Sequence, residues 1–129
     1  MERVIITISE NGRVNIPNSN VWMSEMELVE LFGVLAPTLR AAIKAIYKSE
    51  MLCPAATQRC DTITPASWAT FYNLEMVVAL AFRLNTYEAN RIRLKVLECL
   101  TQRMKDEINL FFVLRSGGND KYYHIERNN

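Results

Sequence analysis

An α+β fold, mostly helical, is what this sequence predicts, and three observations carry it. β-Branched residues alternate on either side of Asn11-Gly12. Two amphipathic stretches meet at Gly33. From Leu74 onward, apolar residues recur at helical spacing almost to Leu114. The expected order is an N-terminal β-hairpin, a helix-turn-helix, two short strands that would make a small wing, an apolar helix and a long C-terminal helix. Residues 1–116 should form one domain ending in that helix, and residues 117–129 a polar tail. A chain of 129 residues suits one domain with a sizeable core.

Residues 3–16 read as the hairpin. Val4, Ile6 and Ile8 alternate with Ile5, Thr7 and Ser9, the period of a pleated strand. Asn11-Gly12 predicts a type I′ turn, whose two central residues need positive φ. Pro17 ends the return strand by removing a donor. Residues 18–24 are expected to be a polar connection.

Ser24 and Glu27 make a capping box for a first helix ending near Phe32. Leu28, Val29 and Phe32 form its apolar stripe, with Glu25, Glu27 and Glu30 on the wet side. Gly33 supplies the positive φ at its end. The second helix starts at Pro37, a residue tolerated in a first turn, and runs to Lys48. Leu39, Ala42, Ile43 and Ile46 should point inward. Arg40, Lys44 and Lys48 recur every four residues on the outer face. The first helix is therefore acidic and the second basic. This is the helix-turn-helix pattern.

Pro54 and Pro65 exclude a continuous helix over residues 51–73. Asp61–Thr64 and Trp68–Tyr72 favour sheet and would complete a winged-helix-like domain. Asn73 caps the next helix, whose period runs through Leu74, Val77, Val78 and Ala81. After Asn85 and Thr86 a long helix spans about Tyr87 to Leu114. One row of it holds Leu97, Leu100, Met104, Ile108 and Phe111; another holds Ile92, Val96 and Cys99. Its far half would leave Phe111, Phe112 and Leu114 in need of a partner. Gly117-Gly118 should end it.

The order hairpin, VWMSEMELVELFG, second helix and FYNLEMVVALAFRLNTYEANRIR resembles the RhuM-type virulence proteins. The resemblance rests on Val21, Trp22, Met23 and Ser24, then Glu30 to Gly33, and covers roughly residues 1–97. Further along it rests on Phe71 to Glu75, Phe82 to Asn85, and Ile92-Arg93. It implies a bacterial protein of a virulence locus or mobile element that binds DNA through its helix-turn-helix. The chain departs from that family in the second helix. Ala41-Ala42 stands where an Arg-His pair is usual, and Arg40 where a serine is usual.

A duplex reader needs side chains that reach base edges and cations that hold phosphates. Arg40 can pair with guanine, and Thr38 can meet a base methyl or a phosphate. Lys44 and Lys48 can hold the backbone. Arg59 in the wing and Arg91 on the long helix extend the track. The competing reading makes these ordinary solvated charges on an amphipathic helix. Arg83 is expected to be structural, between two helices, and Arg91 and Lys95 to lie at the surface. Trp22, Trp68, Phe71 and Tyr72 are expected in the core rather than stacked on bases.

Net charge is +1, so any basic surface must come from local segregation. One histidine, His124, gives metal-site and Ser-His chemistry little support. Cys53, Cys60 and Cys99 lack zinc-site spacing and read as reduced thiols. Phosphate-binding and dinucleotide glycine motifs are missing. The sequence therefore predicts no enzyme and no cofactor. With no apolar run of membrane length and no signal-peptide layout, it predicts a cytoplasmic protein without membrane contact. The expected partners are double-stranded DNA and a second copy, joined through the C-terminal helix. The alternative is a protein-interaction module on the same scaffold, with Ala41, Ala42 and Ala45 giving it a smooth helix face.

Overall fold

A computed structural model describes residues 2–116. Its elements are β1 (Thr7–Ile8), β2 (Val14–Asn15), β3 (Trp22–Ser24), α1 (Glu25–Phe32), α2 (Ala36–Lys48), α3 (Pro54–Thr57), β4 (Gln58–Thr64), β5 (Ser67–Asn73), α4 (Leu74–Ala81) and α5 (Tyr87–Ser116). The fold is α+β and mostly helical, with the hairpin first and the long helix last. The chain divides within α5 into two compact units, Met1–Lys95 and the part from Val96 onward. The expected stop at Gly117-Gly118, the tail and His124 lie outside the described residues.

β1 and β2 pair antiparallel, Thr7 with Asn15 and Ile8 with Val14. Their turn is not the expected type I′. Gly12 has φ +83°, but Asn11 is not among the residues with positive φ. The Gly12 N–H donates to the Ser9 carbonyl at 2.9 Å, and the Ser9 N–H to the Arg13 carbonyl at 2.8 Å. That is a longer loop with a single left-handed glycine at its close, the other common hairpin solution. Asn11 instead bonds the Ser9 hydroxyl. A Cβ on Gly12 would also come within 2.7 Å of the Tyr87 hydroxyl.

The capping box forms as the sequence requires: Ser24 accepts from the Glu27 N–H, and Glu27 accepts from the Ser24 N–H. Gly33 ends α1 at φ +63°. The buried face of α1 is Leu28, Leu31 and Phe32; Val29, expected inside, is half-buried. α2 buries Leu39, Ala42, Ile43 and Ile46 as expected.

Residues 22–24, expected in a polar connection, form β3. It pairs antiparallel with β5, Trp22 with Asn73, Met23 with Tyr72 and Ser24 with Phe71. β4 joins the other edge of β5, which gives the order β3-β5-β4. The two wing strands therefore sit in a three-stranded sheet that runs directly into both α1 and α4. Pro54 opens the short α3, whose Thr57 is buried. Thr57 is held by a hydrogen bond from its hydroxyl to the Cys53 carbonyl and another shared with the Tyr47 phenol.

Asn73 caps α4 by accepting from the Met76 N–H. The buried face of α4 is Met76, Val77, Leu80 and Ala81, so the helical period holds while Leu74 and Val78 are only half-buried. Thr86 accepts from the Ala89 N–H at the start of α5. Ala89 and Ile92 are fully buried, which makes the first turns of α5 part of the core. Met23, Leu28, Phe32, Leu39, Met76 and Leu80 are among its other members.

Arg83 is exposed rather than structural. Arg93 takes that role: its Nη1 donates to the Ala81 carbonyl at 2.6 Å and the Leu84 carbonyl at 2.8 Å. The Ala81 carbonyl ends α4 and the Leu84 carbonyl lies in the turn after it, so a guanidinium is the natural donor there.

Candidate nucleic-acid interface

Positions on α2 decide which side chains reach solvent. With Leu39, Ala42, Ile43 and Ile46 inside, Thr38, Arg40, Ala41, Lys44 and Lys48 are exposed. Of the Ala41-Ala42 pair only Ala41 is a surface residue; Ala42 belongs to the core. Lys48 lies in the last turn, where a cation suits the helix dipole.

Arg40 and Lys44 meet the wing. With Ile43, Tyr47, Gln58 and Tyr72 they line an open groove of about 340 Å³ between α2 and the sheet. Tyr47 follows Lys44 by three residues and Arg40 by seven, so the helical period places all three on one side. Gln58 and Tyr72 arrive together because they are register partners on β4 and β5. Burial pushes both the Tyr47 and Tyr72 phenols up, so both stay protonated in the neutral range; the Tyr47 proton goes to the Thr57 hydroxyl, whose own proton goes to the Cys53 carbonyl. The groove thus offers a guanidinium, an ammonium, the Tyr72 phenol and an amide. That donor-rich set suits an anionic or hydrogen-bond-accepting ligand.

Arg40 also bonds Glu25 at 2.6 Å, from the second helix to the first turn of α1. That bond raises the Arg40 pKa and keeps it charged. The acidic and basic helices therefore partly neutralise each other at this point. The Arg40 side chain remains 64% exposed. An exposed ion pair is weak in water, so a phosphate or a guanine edge can compete for the guanidinium.

The remaining cations sit elsewhere. The register sets Gln58, Cys60 and Thr62 on one sheet face with Tyr72, Thr70 and Trp68, and Arg59 on the opposite face with Phe71. The Arg59 guanidinium lies 4.9 Å above the Trp22 ring. Arg91 is half-buried, and its Nε donates to the Gly12 carbonyl at 2.9 Å, pinning the hairpin turn. The structure thus unites Arg40 and Lys44 in one groove; Lys48, one turn on from Lys44, is exposed beside them, whereas Thr38, also exposed, lies by the helical period on the opposite flank of α2 from Arg40. Arg59 and Arg91 are engaged with other groups.

Trp68 departs from its expected place in the core. It is 69% exposed near the tip of the β4–β5 hairpin, whereas Phe71 and Tyr72 are buried. The strand period cannot foretell this. The outer end of a two-stranded hairpin has no layer above it, so even its inward-phase residues stay wet.

A second groove, of about 390 Å³, lies on the other side of the hairpin. Arg3, Glu27, Glu30, Asp61, Ile63 and Phe71 are among its walls. Arg3 ties it together. Its Nη1 donates to Glu27 at 2.6 Å and to the Trp22 carbonyl at 3.1 Å, and the guanidinium lies 4.8 Å over Phe71. Nothing in the sequence marks Arg3, whose partners come from two distant segments, residues 22–27 and Phe71.

Among the described residues, no group of three or more His, Cys, Asp or Glu is placed to hold a metal ion. Cys53, Cys60 and Cys99 are free thiols at the surface. Within the described residues, no helix is long and apolar enough to cross a membrane. No family model, curated protein or solved structure matches the chain.

Proposed function

We propose that this protein binds double-stranded DNA through α2, in keeping with the RhuM-type resemblance of its sequence. The supporting observation is the groove in which Arg40, Lys44 and Tyr47 of α2 face Gln58 and Tyr72 of the sheet. An α-helix fits the major groove, where an arginine fork matches the O6 and N7 of guanine. In this reading Arg40 leaves Glu25 for a base edge, and Lys44 and Lys48 hold phosphates. Thr38 meets a phosphate or a thymine methyl near the start of the helix. Arg59 and Arg91 carry less of the binding, since each holds a protein group already. Helix-turn-helix proteins commonly bind as dimers, and α5 carries an apolar row for a second copy.

The test is binding to short random-sequence duplexes across a salt series. Affinity should fall steeply with salt as counterions are displaced. The double variant Arg40→Ala/Lys44→Ala should bind at least about tenfold more weakly, with the slope flattened by roughly one for each phosphate it no longer neutralises. Wild-type-like binding by that variant would remove α2 from the interface.

The Arg40–Glu25 pair and the net charge of +1 favour a second reading, a protein-interaction module on the same scaffold. Ala41 and the half-buried Ala45 keep part of α2 smooth, although Ala42 is committed to the core. No duplex binding even at low salt would select this alternative.

A further inference from the structure

We infer that Glu25 makes Arg40 selective for a base edge over a phosphate; this rests on the duplex-binding reading. The two ends of the ion pair are held differently. Glu25 is the first residue of α1, directly after Ser24, which is the register partner of Phe71 on β5 and closes the capping box with Glu27. The backbone that carries the Glu25 carboxylate is therefore fixed. Arg40 Nη2 meets that carboxylate at 2.6 Å, and the arginine side chain is 64% exposed against 33% for the glutamate. The guanidinium is thus the end that a duplex can draw away. Burial is the main reason the Tyr72 phenol is pushed up, and the Glu25 carboxylate adds to it, so its field extends to the groove that Arg40, Lys44 and Tyr72 line. An anion of the protein already stands where the interface would receive phosphates.

That carboxylate bears differently on the two partners Arg40 could take. A phosphate competes for the guanidinium as one oxyanion against another, so exchanging the carboxylate for it gains little. It also brings a second negative charge toward a carboxylate that the start of α1 keeps in place, and like charges drawn together are unfavourable. A guanine edge brings no net charge. Its O6 and N7 accept two parallel bonds from the arginine fork, whereas the bond to Glu25 is made by Nη2. Every sequence offers phosphates, but only guanine offers that pair of acceptors. Glu25 therefore weakens the part of Arg40 binding that carries no sequence information and spares the part that does.

Full-length protein titrated with two duplex pools of equal length, one of random sequence and one random but restricted to A·T pairs, tests the assignment. Glu25→Gln keeps the shape of the side chain and removes its charge. On the A·T pool it should bind about two- to fivefold more tightly than wild type, the range set by one exposed ion pair, with a salt slope steeper by roughly one. On the random pool the gain should be smaller, so the preference for guanine-containing duplex narrows. In an Arg40→Ala background Glu25→Gln should add nothing, because the gain acts through Arg40. Glu30→Gln makes the same change of net charge on the same helix and should bind as wild type does. No gain on the A·T pool, an equal gain on both pools, a gain that persists without Arg40, or the same gain in Glu30→Gln each overturns the role of Glu25 while leaving duplex binding by α2 intact. If neither wild type nor Glu25→Gln binds either pool at low salt, the α2 reading and the role of Glu25 fall together. Glu25 is half-buried and Glu30 exposed, and neither belongs to the capping box, so both substitutions are compatible with folding, which far-ultraviolet circular dichroism checks.

Discussion

Glu27 joins a helix cap to a salt bridge, and that combination has a pH signature. Burial pushes its carboxyl up, but the Ser24 backbone N–H and the Arg3 guanidinium outweigh burial and hold it below its ordinary 4.5. A depressed carboxylate contributes stability that is fully present above the ordinary value and lost as pH falls through the folded-state value. Glu27→Gln keeps the capping geometry but not the charge. The variant should therefore be less stable by about 1 kcal/mol near neutral pH. The gap should close as pH drops below 4.5, when wild type becomes protonated too. Urea unfolding at a series of pH values measures it; a gap independent of pH would mean that charge plays no part. The sequence makes the Ser24–Glu27 half legible, because a cap is local. Arg3 is invisible to it, because Trp22, Glu27 and Phe71 become neighbours of Arg3 only after folding. The arginines near residue 90 show the same limit. A cation count predicts a basic patch there, whereas Arg91 and Arg93 are spent on the carbonyls of Gly12, Ala81 and Leu84.

Between α1 and α2, one backbone angle decides whether the two helices can meet. Gly33 sits at φ +63°, and a Cβ there would approach a Glu88 carboxylate oxygen at 2.7 Å. The carboxylate is the far end of a flexible side chain and can move aside; the backbone angle cannot relax so easily. Gly33→Ala should destabilise by about 1–2 kcal/mol, and Gly33→Asn by less, since asparagine tolerates the left-handed region. Chemical denaturation of the three proteins gives the order, and equal stability of Gly33→Ala and wild type would contradict it. Elements carried by local signals, such as this turn, the cap of α4 and the inward face of α2, are readable in advance. Those set by pairing across the chain are not. β3 has three residues, too few for a period to show, and its partners lie some fifty positions later in β5. Trp68 follows the strand pattern of Phe71 and Tyr72, yet only the latter two have a layer packed over them.

At the scale of the molecule, a net charge of +1 conceals how the charges are distributed. The same acidic first turn that caps α1 answers Arg40 on α2, so segregation along the sequence is partly undone in space. Beyond Lys95 the chain has another character. Leu97, Leu100, Met104, Ile108 and Phe111 follow one another at spacings of three and four residues, and each is exposed by about 40–55%. Met104, Ile108, Phe111 and Phe112 also border a shallow groove, with the two phenylalanine rings edge to face at 5.6 Å. Burying such a half-exposed side chain is worth on the order of 1 kcal/mol. Two symmetric copies would gain on the order of 10 kcal/mol, against an association cost of about 4–15 kcal/mol. Gain and cost are of the same size, so a dimer formed through this row should dissociate on dilution rather than be obligate. Because such an interface would be apolar, raising salt should leave a dimer formed this way intact. Sedimentation equilibrium should give twice the chain mass at high concentration, falling toward one chain mass on dilution. Met104→Gln combined with Ile108→Gln should hold the protein at one chain mass throughout. These are better probes than cutting the chain before Tyr87, which would remove the buried Ala89 and Ile92 along with the Arg93 cap of α4. A wild type that stays at one chain mass at all concentrations, or a double variant that dimerises as well as wild type, would exclude this face as the junction between copies.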